Sequence, residues 1–150
     1  MTVHDFIVIY NDTFKYIEAN YGVEAVKDLW ATISSEWCTH LDSLVKEKGL
    51  EGMLEYWGGN DGTLGREKAE CEITLTDGIF SVIMHKCPSV GELKERSREL
   101  YHGGLDYCSH CAALYAPIAN KYGYDMFVDA EHDAEGFCIG RCKLTSCKKT

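Results

Sequence analysis

Ala69-Glu70-Cys71-Glu72-Ile73-Thr74-Leu75-Thr76-Asp77-Gly78-Ile79-Phe80-Ser81-Val82-Ile83-Met84-His85 is the stretch on which the fold class turns. Ala69, Cys71, Ile73 and Leu75 alternate with Glu70, Glu72, Thr74 and Thr76. Successive strand side chains point to opposite faces, so this is a strand with one apolar and one polar side. Asp77-Gly78 tolerates the positive φ of a tight turn, and Ile79 to His85 is again rich in β-branched and aromatic residues. A two-residue turn fixes the register: Thr76 pairs with Ile79, Leu75 with Phe80, Ile73 with Val82 and Cys71 with Met84. The same count sets Glu70 opposite His85 on the polar face, with Glu72, Thr74 and Ser81 nearby. That pair fits two roles. It orients an imidazole for proton transfer or metal binding, or it is a solvent-facing cross-strand pair worth roughly a few tenths of a kcal/mol.

Upstream the period changes to that of helices. Phe6, Ile9, Tyr10, Phe14, Ile17 and Tyr21 step by three and four, with Gly22 as the stop. Val26, Leu29, Trp30, Ile33, Trp37, Leu41, Leu44 and Val45 predict one longer amphipathic helix ending at Gly49, with Trp30 and Trp37 in the core. Leu50 to Trp57 reads as a short third helix. Gly58-Gly59-Asn60-Asp61-Gly62 then breaks the chain. It lacks the lysine and hydroxyl residue of a phosphate loop, so it is a connector or a lid.

Downstream, Cys87-Pro88 leaves the strand, and Ser89 with Glu92 predicts a capping box for a helix from Val90 to Tyr101. Asp106 or Ser109 caps the next helix, which carries Cys108, Cys111, Leu114, Tyr115 and Ile118. Pro117 kinks it or begins a new turn, and Gly123 stops it. Tyr124 to His132 and Phe137 to Leu144 flank Asp133-Ala134-Glu135-Gly136 as a second hairpin. Cys138, Gly140, Cys142 and Leu144 share one face of its last strand. Residues 1–150 therefore read as one α+β domain: N-terminal helices, hairpin, two helices, hairpin, with a mostly antiparallel sheet of about four strands.

A net charge of -9 argues against a nucleic-acid partner, which calls for a basic stripe. The short basic tail at Lys143, Lys148 and Lys149 does not reverse that. No apolar run approaches the roughly 18 residues that span a bilayer, and Asp5, Asn11, Asp12 and Lys15 interrupt any secretory core. The expectation is a cytoplasmic protein with a small-molecule substrate and neither a membrane nor a nucleic-acid partner. In that compartment eight cysteines point to metal binding or catalysis before disulfides.

The chemistry centres on Tyr107-Cys108-Ser109-His110-Cys111, where two thiols three residues apart share a helix face. His85-Lys86-Cys87-Pro88, the strand with Cys138 and Cys142, and Cys147 are the places able to meet it. One outcome is a zinc site of Cys87, Cys108, Cys111 and Cys138, or with His85 replacing one thiol. The other is a cysteine nucleophile. Cys108 near a helix N-terminus has its pKa lowered, with His110 or His85 holding the proton. Cys38, Cys71 and Cys142 suit packing better than chemistry.

At Lys86-Cys87-Pro88, Cys108…Cys111 and Gly136-Phe137-Cys138, and around Tyr21-Gly22-Val23-Glu24-Ala25, the chain resembles the L-2-amino-thiazoline-4-carboxylic acid hydrolase family. The resemblance implies a small α+β protein that opens an amidine-containing heterocycle by hydrolysis to a carbamoyl amino acid. In this chain Cys87 or Cys108 would attack the amidine carbon, His85 or His110 would move protons, and Glu70 would orient the imidazole. A metal version replaces the nucleophile with zinc-bound hydroxide. Two other classes fit the same residues: a sensor that binds a metal or small ligand in a thiol-lined pocket, and a structural zinc module.

Overall fold

The computed structural model describes all 150 residues. Five helices come first: α1 (Val3–Tyr21), α2 (Val23–Trp37), α3 (Thr39–Lys48), α4 (Leu50–Trp57) and the single turn α5 (Thr63–Arg66). The hairpin β1 (Glu70–Thr76) and β2 (Ile79–Lys86) follows, then α6 (Pro88–Glu95) and α7 (Ser109–Lys121). A second hairpin, β3 (Tyr124–His132) and β4 (Cys138–Lys148), ends the chain. The four strands form one antiparallel sheet in the order β1-β2-β4-β3, so the two hairpins join along β2 and β4. The α+β class read from the sequence is the class observed.

The apolar register of the first hairpin is as counted: Leu75 opposite Phe80, Ile73 opposite Val82 and Cys71 opposite Met84. The polar end differs. A register shift between Glu70 and Cys71 sets Glu70 opposite Lys86. Glu72 instead reaches His85, with Oε2 2.7 Å from Nε2. Ile79, Ile83 and His85 lie on the exposed side of β2, whereas Phe80, Val82 and Met84 are buried beneath the helices.

The N-terminal helices depart from expectation in two places. α1 buries Val8, Asn11 and Phe14, and leaves Phe6, Ile9 and Tyr21 exposed. Asn11 is the reason that stripe rotates. Its Nδ2 donates to the Glu99 carbonyl (3.0 Å) and its Oδ1 accepts from the Tyr101 N–H (2.7 Å). A polar residue thus pins the irregular segment after α6 and directs Leu100 and Tyr101 into the core. The long helix expected from Val26 to Val45 is two helices. At Cys38 the N–H donates to the Ile33 carbonyl, five residues back, and the axis breaks. Trp30 stays in the core but Trp37 turns outward and is 78% exposed.

α6 starts and ends earlier than expected. Pro88 takes the first helical position, where its missing N–H costs nothing, and Cys87 is the N-cap. Ser89 and Glu92 form no capping box. Glu92 binds His4 Nδ1 (2.8 Å) and Arg96 Nε (2.6 Å) instead. Ser97, at φ 55°, ends the helix by leaving the right-handed region.

Two apolar clusters hold the layers together. One unites α1, α2, α6 and the start of α7 around Phe14, Trp30, Leu93, Tyr101 and Tyr107, and includes Cys138 of β4. The other packs α3, α4 and the end of α7 on the sheet through Met53, Trp57, Phe80, Ile118 and Leu144. No helix is long and apolar enough to cross a membrane.

Candidate functional site

Three elements of the first cluster bring cysteines together. Cys108 is the N-cap of α7, and Asp106 secures that helix start by accepting from the Ser109 N–H (2.8 Å). Asp106 Oδ2 also lies 2.5 Å from His132 Nε2, which ties the end of β3 to the start of α7. Cys138, two residues before Gly140 on β4, is bonded through sulfur to Cys108, with the two Cα atoms 6.2 Å apart. The expectation was of reduced thiols; in this structure two of the eight are paired. In this state Cys108 is neither a free nucleophile nor a metal ligand.

Cys87 is held against β4 by its own backbone. Its N–H donates to the Gly140 carbonyl at 2.9 Å. Gly140 has φ +81°, and a Cβ there would lie 3.2 Å from Val90 and 3.6 Å from the Cys87 Cβ, so only glycine lets α6 approach this closely. Burial pushes the Cys87 thiol up, while the N–H groups of Val90 and Ser89 at the start of α6 favour its thiolate.

Cys111 and Cys142 complete the group. Burial raises Cys111 to about 11, with the charges of Asp106 and Glu67 adding to the effect. Cys142 rises to about 12, again through burial, with the Cys111 and Cys87 thiols nearby adding to the effect. All three free thiols are therefore protonated at neutral pH. As residues, all three are half-buried.

His110 is caged by aromatic rings, with centroids at 4.8 Å (Tyr107), 5.5 Å (Tyr10) and 5.9 Å (Phe14). Its Nδ1 meets the Tyr107 carbonyl, which can only accept, so Nδ1 carries the proton. The bare Nε2 then lies 3.8 Å from Cys111 Sγ. Burial lowers the His110 pKa and keeps the ring neutral.

Glu67, just after α5, was not singled out in the sequence. Burial raises its pKa against the opposing charge of Arg66, and its own charge acts on both Cys87 and Cys111. It lines a cleft of about 590 Å³ together with His4, Ile7, Arg66, Lys68 and Pro88. Pro88, the residue after Cys87, is part of that lining. A lone glutamate in a Gly-rich stretch carries no sequence signal, since its role depends on where the α4–β1 connection folds back.

The remaining candidates lie apart from this group. His85 and Glu70 are on exposed positions of the first hairpin, and Cys147 is on β4 opposite Ile79 and Asp125. Cys71 packs under the sheet against the second cluster, as does Cys38 at the α2–α3 break. Of the zinc set Cys87, Cys108, Cys111 and Cys138, the structure pairs Cys108 with Cys138. No group of three or more His, Cys, Asp or Glu side chains is placed to hold an ion. Comparison of the chain with protein-family models, with curated proteins and with solved structures finds no match.

Proposed function

We propose that the protein is a cysteine-dependent hydrolase acting on the amidine carbon of a small heterocycle, with Cys87 as nucleophile and Glu67 as proton donor. The observation that carries this reading is the position of Cys87. Its sulfur sits at a helix N-terminus, under the N–H groups of Ser89 and Val90 and within range of the charge of Glu67, a carboxyl group of raised pKa that lines a cleft with Pro88. The ring class comes from the family resemblance. The choice among thiols comes from the geometry, because Cys108 is bonded to Cys138 and His85 and Glu70 lie on exposed positions.

In this scheme the Cys87 thiolate attacks the amidine carbon, and the Glu67 carboxyl gives its proton to the amidine nitrogen. The tetrahedral adduct expels the ring sulfur, which leaves as a thiol by taking the proton that the amidine drew from Cys87 on binding, and an S-amidino enzyme remains. Water then adds to that carbon, with Glu67 taking its proton. Collapse releases Cys87 as leaving group and the product as a carbamoyl compound, with the oxygen supplied by water. The protonated thiol at rest is part of the scheme, because a cyclic amidine is basic and draws the proton on binding.

The test is mass spectrometry of the protein mixed with 2-aminothiazoline carboxylate and quenched within seconds. A mass increment on the peptide bearing Cys87, and turnover lost in Cys87→Ala but kept in Cys71→Ala, supports the reading. Full turnover by Cys87→Ala overturns it.

A further inference from the structure

The geometry points to a second chemistry in the same cluster, independent of the hydrolytic reading: thiol–disulfide exchange, in which Cys111 takes Cys108 over from Cys138. Cys108 has two sulfur neighbours in the fold. Cys138 is 6.2 Å away by Cα and already bonded. Cys111 stands one helical turn on, its N–H donating to the Cys108 carbonyl at 3.2 Å. Helical geometry puts Cα atoms three apart at about 5 Å, inside the roughly 4.4–6.8 Å window for a disulfide.

A proton acceptor is in place. His110 Nε2 is bare and lies 3.8 Å from Cys111 Sγ, because the Tyr107 carbonyl holds the ring's only proton on Nδ1. In the exchange, the Cys111 thiol passes its proton to Nε2 and its sulfur attacks Cys108 Sγ. The Cys108–Cys111 bond forms as the Cys108–Cys138 bond breaks. Cys138 leaves as thiolate and recovers the proton from the imidazolium, so no electron is gained or lost. Net reduction needs an external dithiol, which is oxidised to its disulfide as the protein gains two thiols. Cys138 is 2% exposed, so an external thiol has poor access to its sulfur. Cys111, less buried as a residue than Cys138, gives the disulfide its way out.

The experiment is disulfide mapping by mass spectrometry after rapid acid quench and alkylation. It is run on the full chain across buffers of reduced and oxidised dithiothreitol, and alongside it the rate of reduction is followed in wild type, Cys111→Ser and His110→Gln. Exchange predicts a Cys108–Cys111 peptide in the wild type beside the Cys108–Cys138 peptide, and reduction at least tenfold slower in both variants. Cys138→Ala, provided that its circular dichroism matches wild type, retains a Cys108–Cys111 bond. The absence of the Cys108–Cys111 peptide from the wild type at every buffer ratio overturns the proposal, as does absence of the Cys108–Cys138 peptide throughout. Equal reduction rates in wild type and Cys111→Ser overturn it too.

Discussion

Reducing the Cys108–Cys138 bond offers a magnitude that follows from topology alone. The bond closes a loop 30 residues apart in sequence, running from the start of α7 through β3 to the start of β4. In the chain-entropy treatment such a loop removes about 12 cal/mol/K from the unfolded ensemble, or about 3.6 kcal/mol at 25 °C. A chain of 150 residues unfolds with an entropy near 0.3 kcal/mol/K, so the midpoint should fall by about 10 °C on reduction. The assay is thermal unfolding by circular dichroism, oxidised against reduced, with the disulfide state verified by mass spectrometry before each scan. The double variant Cys108→Ala with Cys138→Ala serves as a control insensitive to reductant. Midpoints within 2 °C of each other for verified oxidised and reduced protein would show that these two cysteines do not restrain that loop.

Three further outcomes are expected. Asn11→Ala leaves the Tyr101 N–H and the Glu99 carbonyl without their partner, and should cost about 2–4 kcal/mol in urea unfolding; a loss under 1 kcal/mol would mean that water replaces the side chain. Gly140→Ala forces a Cβ to 3.2 Å from Val90 at φ +81°, so the strain of that region and the crowding together should cost about 2–4 kcal/mol and slow alkylation-sensitive chemistry at Cys87. The Cys111 thiol, raised to about 11 by burial, makes stability fall at high pH. The fold prefers the neutral thiol, so nothing is lost below pH 9. Between pH 9 and 11 the unfolded chain ionises first, and the loss approaches about 3 kcal/mol. That slope should flatten in Cys111→Ala; an unchanged slope would mean that Cys111 is solvated.

What could be read from the residues was local. The hairpin at Asp77-Gly78 declares itself because alternation and turn chemistry agree over adjacent residues, and the helix at Leu50 to Trp57 and the second hairpin follow likewise. Asn11 misled because a buried polar residue looks like a solvent-facing one until its partners, 88 and 90 positions away, are known. The break at Cys38 leaves no proline or glycine to mark it. The site was half legible. Cys87, His110 and Cys111 were identifiable by type and spacing, but no rule of spacing distinguishes a Cys108–Cys138 disulfide from a four-thiolate set. Glu70 was paired with His85 by counting, and one irregular residue at the end of β1 moved it away.

The central claim is that thiols distant in sequence, Cys87, Cys111 and Cys142, lie close to one another. Its most direct measurement is cross-linking of the native protein with dibromobimane, which bridges two thiols only when they are within a few bond lengths, followed by peptide mapping. Convergence predicts linked peptides joining Cys87 to Cys111 or Cys142. Links confined to Cys71 or Cys147, with Cys87, Cys111 and Cys142 each labelled singly, would contradict it.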